Sequence, residues 1–99
     1  MKTREDVLRA IAELRAMIRL YQAEKWASWR SALQDMIALL DDLERKVQAV
    51  GWPPAAPKAF DDVNIGLYAI RNLDELDDGR LSRRVCSLDY DLKHPEHET

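Results

Sequence analysis

The most regular feature of this chain is a row of apolar residues at alternating steps of four and three. The average step of about 3.5 residues is close to one turn of an α-helix, so the side chains lie on one face of the helix. Thr3 and Asp6 form a Thr-x-x-Asp start, a variant of the capping box that begins many helices. We therefore predict a first helix from about residue 4 to about residue 22, whose apolar stripe consists of Val7, Ile11, Leu14, Ile18 and Tyr21.

A second stripe with the same rhythm follows and is longer. Ser28 is suited to the N-cap, and Gly51 follows the last apolar position, as expected of a C-terminal cap with positive φ. Two sustained stripes of this kind favour antiparallel packing at a shallow angle. The second predicted helix ends near residue 50, and its stripe consists of Trp29, Leu33, Met36, Leu40, Leu43, Val47 and Val50.

The segment 52–57 contains three prolines and cannot continue a helix. We predict a third helix from Phe60 to Leu73 after this connector. Gly66 would interrupt that helix at a cost of roughly 1 kcal/mol relative to alanine, which indicates close approach of another backbone. The residues spaced for burial on it are Phe60, Val63, Leu67 and Ile70.

Residues 74–79 form a predicted acidic turn before a fourth helix. Asp77 or Asp78 is expected to cap that helix, since a carboxylate stabilises a helix N-terminus. Residues 94–99 have no apolar anchor and are expected to form a flexible tail. The predicted fold is all-α, a single compact bundle of four helices, two long and then two shorter, over residues 1–93; the fourth stripe is Leu81, Val85, Leu88 and Leu92.

The charge of the chain differs between its halves. Residues 1–50 hold nine Lys and Arg against eight Asp and Glu, whereas residues 51–99 hold six against ten. This acidic bias argues against nucleic acid as a partner, because phosphate contacts need clustered basic residues. A basic protein surface is the more natural complement, although solubility alone explains the same count equally well.

Composition also bears on location. No apolar run approaches the roughly 20 residues needed to span a bilayer, and the N-terminal segment lacks the apolar stretch of a secretory signal. The single cysteine, Cys86, cannot form an internal disulfide. We expect a cytoplasmic protein that does not enter a membrane.

The sequence offers little to support catalysis. His94 and His97 lie in the predicted tail, Cys86 sits in a helix beside Val85 as partly buried packing, and there is no glycine-rich phosphate loop. The acidic residues of the turn lack the ligand spacing of a calcium loop. We expect no enzyme activity, metal or cofactor.

Binding to another protein is the better-supported expectation. Trp29 and Trp52 should close the two ends of the core, whereas Trp26 and Tyr68 fall off the main stripes. Aromatic and arginine side chains dominate binding hot spots, and the acidic turn could meet basic groups. The candidate partner-binding residues are Trp26, Tyr68, Arg71, Asp74, Glu75, Asp77 and Asp78.

The stretch 64–74, with the later Asp78, Leu81 and Ser82, resembles a helical immunity-protein family of bacterial type VI secretion, and the likeness extends over about residues 62–90. The resemblance implies a protein that docks over the substrate cleft of an NAD(P)-hydrolysing toxin and excludes NAD without chemistry of its own. The residues that match the family pattern are Gly66, Ala69, Arg71, Leu73 and Asp74.

Two alternatives stay open beside the toxin-binding expectation. The first is a homo-oligomeric adaptor or structural bundle in which exposed apolar positions mediate self-association, for example in a homodimer. The second is a small helical enzyme, which would require a bound metal or cofactor.

Overall fold

The computed structural model describes residues 3–56 and 58–94, except for the side chains of residues 25–27. Within these ranges the chain forms helices and turns and no strand. The structure therefore confirms an all-α bundle. Its elements are α1 (Arg4–Val50), α2 (Ile65–Asn72), a 3-10 turn (Asp74–Leu76) and α3 (Arg80–Lys93).

Helix α1 folds back on itself. A straight helix of 47 residues would be about 70 Å long, whereas the longest dimension of the molecule is 41 Å. Arg15 donates hydrogen bonds to Asp41 at 2.8 Å and to Glu44 at 2.6 Å, far beyond it in sequence. We call residues 4–22 the first arm of α1 and residues 28–50 the second arm.

This reversal confirms the predicted antiparallel pairing but corrects the predicted helix boundary. Helical backbone structure runs through the reversal, so Ser28 lies inside α1 rather than at the N-cap of a separate helix. A single straight helix would leave both apolar stripes in water. Folding the two arms together buries them, and each large side chain so buried contributes about 1.5–3 kcal/mol.

The ends of α1 match the sequence prediction. The Thr3 hydroxyl accepts a hydrogen bond from the Asp6 N–H at 3.1 Å, and the Asp6 carboxylate accepts one from the Thr3 N–H at 3.1 Å. Gly51 ends the helix with φ +89°, and its N–H donates to the Val47 carbonyl at 2.8 Å. Both caps follow from local sequence alone.

The core lies along the line where the two arms meet and is completed by α2 and α3. Trp29 and Trp52 pack partly buried against it, as expected. Val50 departs from the prediction, because it is 40% exposed at the end of α1. The residues of the two stripes that are fully covered are Val7, Ile11, Ile18, Leu33, Met36, Leu40 and Val47.

Helix α2 begins five residues later than predicted. Residues 58–62 form turns, in which the Asp61 N–H donates to the Lys58 carbonyl and the Val63 N–H to the Phe60 carbonyl. Phe60 is buried nonetheless, and its ring centroid lies 5.7 Å from that of Trp52. The aromatic contact holds this segment against the core through turns, so the predicted helix start at Phe60 is wrong.

The buried face of α2 also differs from the prediction. Ile65, Ala69 and Leu73 are buried at i, i+4 and i+8, whereas Leu67 is 48% and Ile70 is 54% exposed. One short helix can bury only one such row. The expectation that Leu67 and Ile70 lie in the core is therefore wrong.

Helix α3 confirms the predicted fourth stripe, since Leu81, Val85, Leu88 and Leu92 are all buried. His94 follows the helix as its C-cap, with its ring centroid 4.2 Å from that of Tyr90. The rest of the predicted tail, including His97, lies outside the described residues.

Candidate protein-binding surface

A carboxylate on α3 holds the N-terminus of α2. The Gly66 N–H donates to Asp89 Oδ2 at 3.0 Å in a buried contact, and Lys93 Nζ lies 2.9 Å from Asp89 Oδ1. The Asn64 side chain makes no capping hydrogen bond, so Asp89 supplies the acceptor and the negative charge that this helix end favours.

The close contact with Asp89 explains why residue 66 is a glycine. A Cβ atom at residue 66 would lie 3.3 Å from Asp89 Cβ and 3.3 Å from Asp89 Oδ2. The predicted close approach is therefore real, but a side chain rather than a backbone approaches the glycine. The contact sets the orientation of α2 on α3.

Asp77 joins three parts of the fold. Its carboxylate accepts the Leu81 N–H at 3.1 Å in the first turn of α3, as expected of a capping carboxylate, although the N-cap residue itself is Gly79. The Tyr21 hydroxyl, at the end of the first arm, donates to Asp77 Oδ2 at 2.5 Å. These contacts lie within the chain, so the stability of the fold is enough to explain an aspartate at position 77.

The Tyr21 hydroxyl stays protonated well above neutral pH. Burial, followed by the hydrogen bond to Asp77, raises the pKa of Tyr21 to about 12. Removing the proton would place two negative charges side by side. The link between the first arm and the acidic turn is thus maintained at any physiological pH.

Asp74 and Asp78 shape the acidic turn. The Ser82 hydroxyl donates to Asp74 Oδ1 at 2.7 Å, and the Gly79 N–H donates to the Asp74 carbonyl at 2.7 Å. Asp78 and Gly79 both adopt positive φ, at +58° and +82°, a conformation that Asp tolerates and Gly favours. The turn is thus held by its own hydrogen bonds and presents Glu75 on the surface.

Three of the predicted partner-binding residues meet beside Trp29. Arg71, Asp74 and Glu75 line a shallow cleft of about 280 Å³, into which Trp29 and Ile70 also project. Glu75 is exposed and forms no ion pair with any residue that the structure describes. This cleft is the acidic part of the surface.

The other predicted residues lie elsewhere. Tyr68 is partly buried between α2 and the second arm, where its hydroxyl donates to Asp35 Oδ2 at 3.2 Å. Burial, and then Asp35, raises the pKa of Tyr68. Tyr68 therefore does not share a cleft with Arg71. Trp26 lies in the reversal of α1, and its side chain is outside the described residues.

An apolar groove adjoins the acidic cleft. Leu67 and Ile70 on α2 face Tyr90 on α3, which is 49% exposed, across a groove of about 340 Å³. Ile70 lines both the groove and the cleft, so the two adjoin at this residue. We call this region the α2 surface and define it by Leu67, Ile70, Arg71, Asp74, Glu75 and Tyr90.

Leu67, Ile70 and Tyr90 were not predicted as surface residues that could bind a partner. The sequence does contain a pattern that could have identified two of them. Ile65, Ala69 and Leu73 form a second apolar row, and if that row is buried, Leu67 and Ile70 lie on the opposite side of a short helix.

Cys86 lies in the floor of the groove. It is partly buried, as predicted, and its thiol is 3.7 Å from the Gly66 carbonyl. Burial, followed by the charge of Asp89, raises the pKa of Cys86. A raised pKa keeps the sulfur in the less nucleophilic thiol form.

Within residues 3–56 and 58–94, no group of three or more His, Cys, Asp or Glu side chains is placed to hold a metal ion. In the same part of the chain, no helix is long and apolar enough to cross a membrane. Comparisons with protein families, with characterised proteins and with solved structures found no match.

Proposed function

We propose that this chain is an immunity protein, which binds a toxin domain through the α2 surface and blocks access to the toxin's active site without catalysing a reaction. The observation that supports the proposal is the exposure of Leu67, Ile70 and Tyr90 together, at 48%, 54% and 49%. Contiguous exposed apolar side chains commonly mark an interaction site.

The composition of the α2 surface suits a protein partner. Its centre is apolar and aromatic, and its border carries Arg71, Asp74 and Glu75. An apolar centre with a polar border is the usual arrangement of a protein interface. In an immunity protein the partner would be the catalytic domain of a secreted toxin, of the NAD(P)-hydrolysing kind that the sequence resemblance implies.

The scaffold beneath this surface is well held. Asp89 caps α2, and the Tyr21–Asp77–Leu81 contacts anchor the acidic turn. A surface that is already ordered loses little conformational entropy on binding. Occluding a toxin cleft by steric cover requires such a surface and no catalytic group.

Co-expression with a toxin tests this proposal. Each larger protein encoded in a reading frame next to this one would be produced in bacteria with and without the chain, and growth would be measured. We expect the chain to restore growth against one of them. Failure to restore growth against any of them would contradict the immunity function.

A matched pair of variants locates the binding surface in the same assay. Ile70→Glu places a charge at the centre of the α2 surface, whereas Leu20→Glu places one on the first arm, where Leu20 is 64% exposed. We expect only Ile70→Glu to abolish protection. Equal protection by both variants would exclude the α2 surface.

The same exposed apolar residues also favour a second candidate, a homo-oligomeric adaptor. In that case two copies would cover each other's α2 surfaces. Sedimentation of the purified chain separates the candidates: a monomer at micromolar concentration supports toxin binding, and a stable oligomer that Ile70→Glu dissociates supports the adaptor.

A further inference from the structure

We propose that two copies of this chain exchange their first arms at high concentration, so that α1 becomes one straight helix in each copy and the two copies form a dimer. The partner is a second copy of the same chain, and the exchanged surface is the apolar row of the first arm. This inference goes beyond the immunity function and does not depend on it, because the exchanged row lies outside the α2 surface.

The reversal of α1 lacks the residues that usually turn a chain. Residues 21–34 contain no glycine, proline, asparagine or aspartate, and their backbone is helical. Two later turns are built differently: Gly51 ends α1 at φ +89°, and Asp78 and Gly79 precede α3 at φ +58° and +82°. The local sequence at the reversal therefore favours a helix that continues.

A straight α1 would carry both apolar rows on one face. At about 3.6 residues per turn, residues 18 apart are separated by about five whole turns and lie above one another. Ile11 and Trp29 have this separation, and so do Ile18 and Met36. In a straight helix the two rows therefore merge into one long row, which a second straight helix packed antiparallel would cover.

The contacts between the arms have the register that this exchange requires. Arg15 donates to Asp41 at 2.8 Å, and Gln22 Nε2 donates to Gln34 Oε1 at 3.4 Å. Both pairs are centred on residue 28. Two straight helices that cross antiparallel at residue 28 would form the same pairs between copies, so the dimer buries the same side chains as the monomer.

The rest of the chain keeps its place on the second arm. The Tyr68 hydroxyl on α2 donates to Asp35 at 3.2 Å, a contact that the exchange does not break. Each half of the dimer is then a complete bundle, formed by the first arm of one copy and by the second arm, α2 and α3 of the other. The contacts that would re-form between copies at the end of the chain are Glu13 with Arg84 and Tyr21 with Asp77.

Concentration decides between the two forms, because their packing contacts are the same. Association costs translational and rotational freedom, which favours the monomer in dilute solution. The preference of residues 21–34 for a straight helix favours the dimer. Exchange of an identical element is a low-cost route to dimers. We expect a monomer in dilute solution and a dimer after refolding from urea at high concentration.

Spin labels on α1 test the exchange directly. The exposed positions of Glu5→Cys and Gln48→Cys would be labelled in a Cys86→Ser background, and the labelled chains refolded with excess unlabelled chain. The two labels lie at the same end of the hairpin, whereas a straight helix separates them by about 65 Å. We expect electron–electron resonance to give the long distance in the dimer fraction and the short one in the monomer fraction.

A label pair within the second arm is the control. Labels at Arg30→Cys and Gln48→Cys should stay about 27 Å apart in both fractions, because that arm is helical in either form. If no dimer forms at high concentration, or if the dimer keeps the short distance between positions 5 and 48, the proposal is wrong.

Matched insertions test the role of the reversal. Gly-Ser-Gly-Ser inserted between Ala27 and Ser28 would give the hairpin a flexible loop and interrupt the straight helix. We expect it to lower the dimer fraction at least tenfold, whereas the same insertion between Ala55 and Ala56 should change it less than twofold. Equal dimer fractions in the two variants would overturn the proposal.

A milder pair uses single substitutions that keep the chain length. Ser28→Gly lies at the centre of the reversal, and Ser31→Gly lies in the second arm; both serines are exposed. Glycine weakens a straight helix but tolerates a bend. We expect Ser28→Gly to lower the dimer fraction severalfold and Ser31→Gly to change it less than twofold. The reverse order would contradict the exchange.

Ile70→Glu separates this dimer from one in which two copies meet through their α2 surfaces. Ile70 is 54% exposed and lies outside the exchanged contacts. We expect the variant to form as much dimer as the wild type in sedimentation. Loss of the dimer in Ile70→Glu would show that the copies meet through α2 and would overturn the proposal.

Discussion

The interface between the two arms of α1 and the outer face of α2 carry similar apolar residues, but the first is buried and the second is exposed to solvent. Leu40 in the second arm is fully buried, whereas Leu67 on α2 is half exposed. Each arm has one long apolar row, and the two rows pack against each other. No second row competes with them for burial. Helix α2 has eight residues and two competing apolar rows. A hydrophobic pattern therefore specifies burial only where it is long enough to exclude the alternative face.

The largest expected difference concerns a charge in the arm interface. Leu40→Asp would bury an unpaired carboxylate in the central row and should lower the free energy of unfolding by about 4 kcal/mol or more. Since small domains are stable by only about 5–15 kcal/mol, we expect much of the helical circular dichroism signal to be lost at 25 °C. Leu20→Asp is the control. Retained helix content and an unchanged melting temperature in Leu40→Asp would contradict the assigned core.

The next effect concerns the contact that orients α2. Asp89→Ala removes the acceptor of the buried Gly66 N–H and leaves Lys93 without its carboxylate. We expect a loss of about 2 kcal/mol in urea unfolding, because an unsatisfied buried donor keeps its desolvation cost. Asp42→Ala, which breaks an exposed ion pair with Arg45, should cost less than about 0.5 kcal/mol. Similar losses in both variants would argue against the capping role of Asp89.

A smaller effect should appear at the link between the first arm and the acidic turn. Tyr21→Phe removes the hydrogen bond to Asp77 and should cost about 1 kcal/mol at neutral pH. Because the pKa of Tyr21 is raised to about 12 in the folded chain, from 10.0 otherwise, the fold favours the neutral hydroxyl. This contribution is complete below pH 10 and is lost as the pH rises from 10 towards 12.

Wild type and Tyr21→Phe should therefore converge in stability over that pH range. Denaturant unfolding of both proteins at pH 8, 10 and 11 measures the convergence. A constant difference between the two at all three values would contradict the assigned link.

The smallest effect is expected at the outer face of α2. Leu67→Ser and Ile70→Ser remove side chains that are already about half in water, so each should change the free energy of unfolding by less than about 0.5 kcal/mol. Thermal unfolding measures this. A loss comparable to that of a buried leucine, about 2–5 kcal/mol when cut to alanine, would show that this face is covered in the isolated chain.

Local sequence determined much of this protein. The rows of the two arms, the Thr3–Asp6 capping box and the Gly51 terminus were all predictable, because each depends on residues within one or two helical turns. The cap on α3 was predictable for the same reason, since Asp77 lies four residues before the Leu81 N–H that it accepts.

Only the tertiary structure decided which face of α2 is covered and how the acidic turn is held. The core covers Ile65, Ala69 and Leu73 and leaves Leu67 and Ile70 exposed. The start of this helix is held by Asp89, 23 residues beyond Gly66. The anchoring of Asp77 depends on Tyr21, 56 residues before it. Contacts across such separations have no periodic signature in the chain, because they arise only once the elements have packed. For that reason the apolar part of the α2 surface was missed in the sequence, whereas its acidic part was predicted.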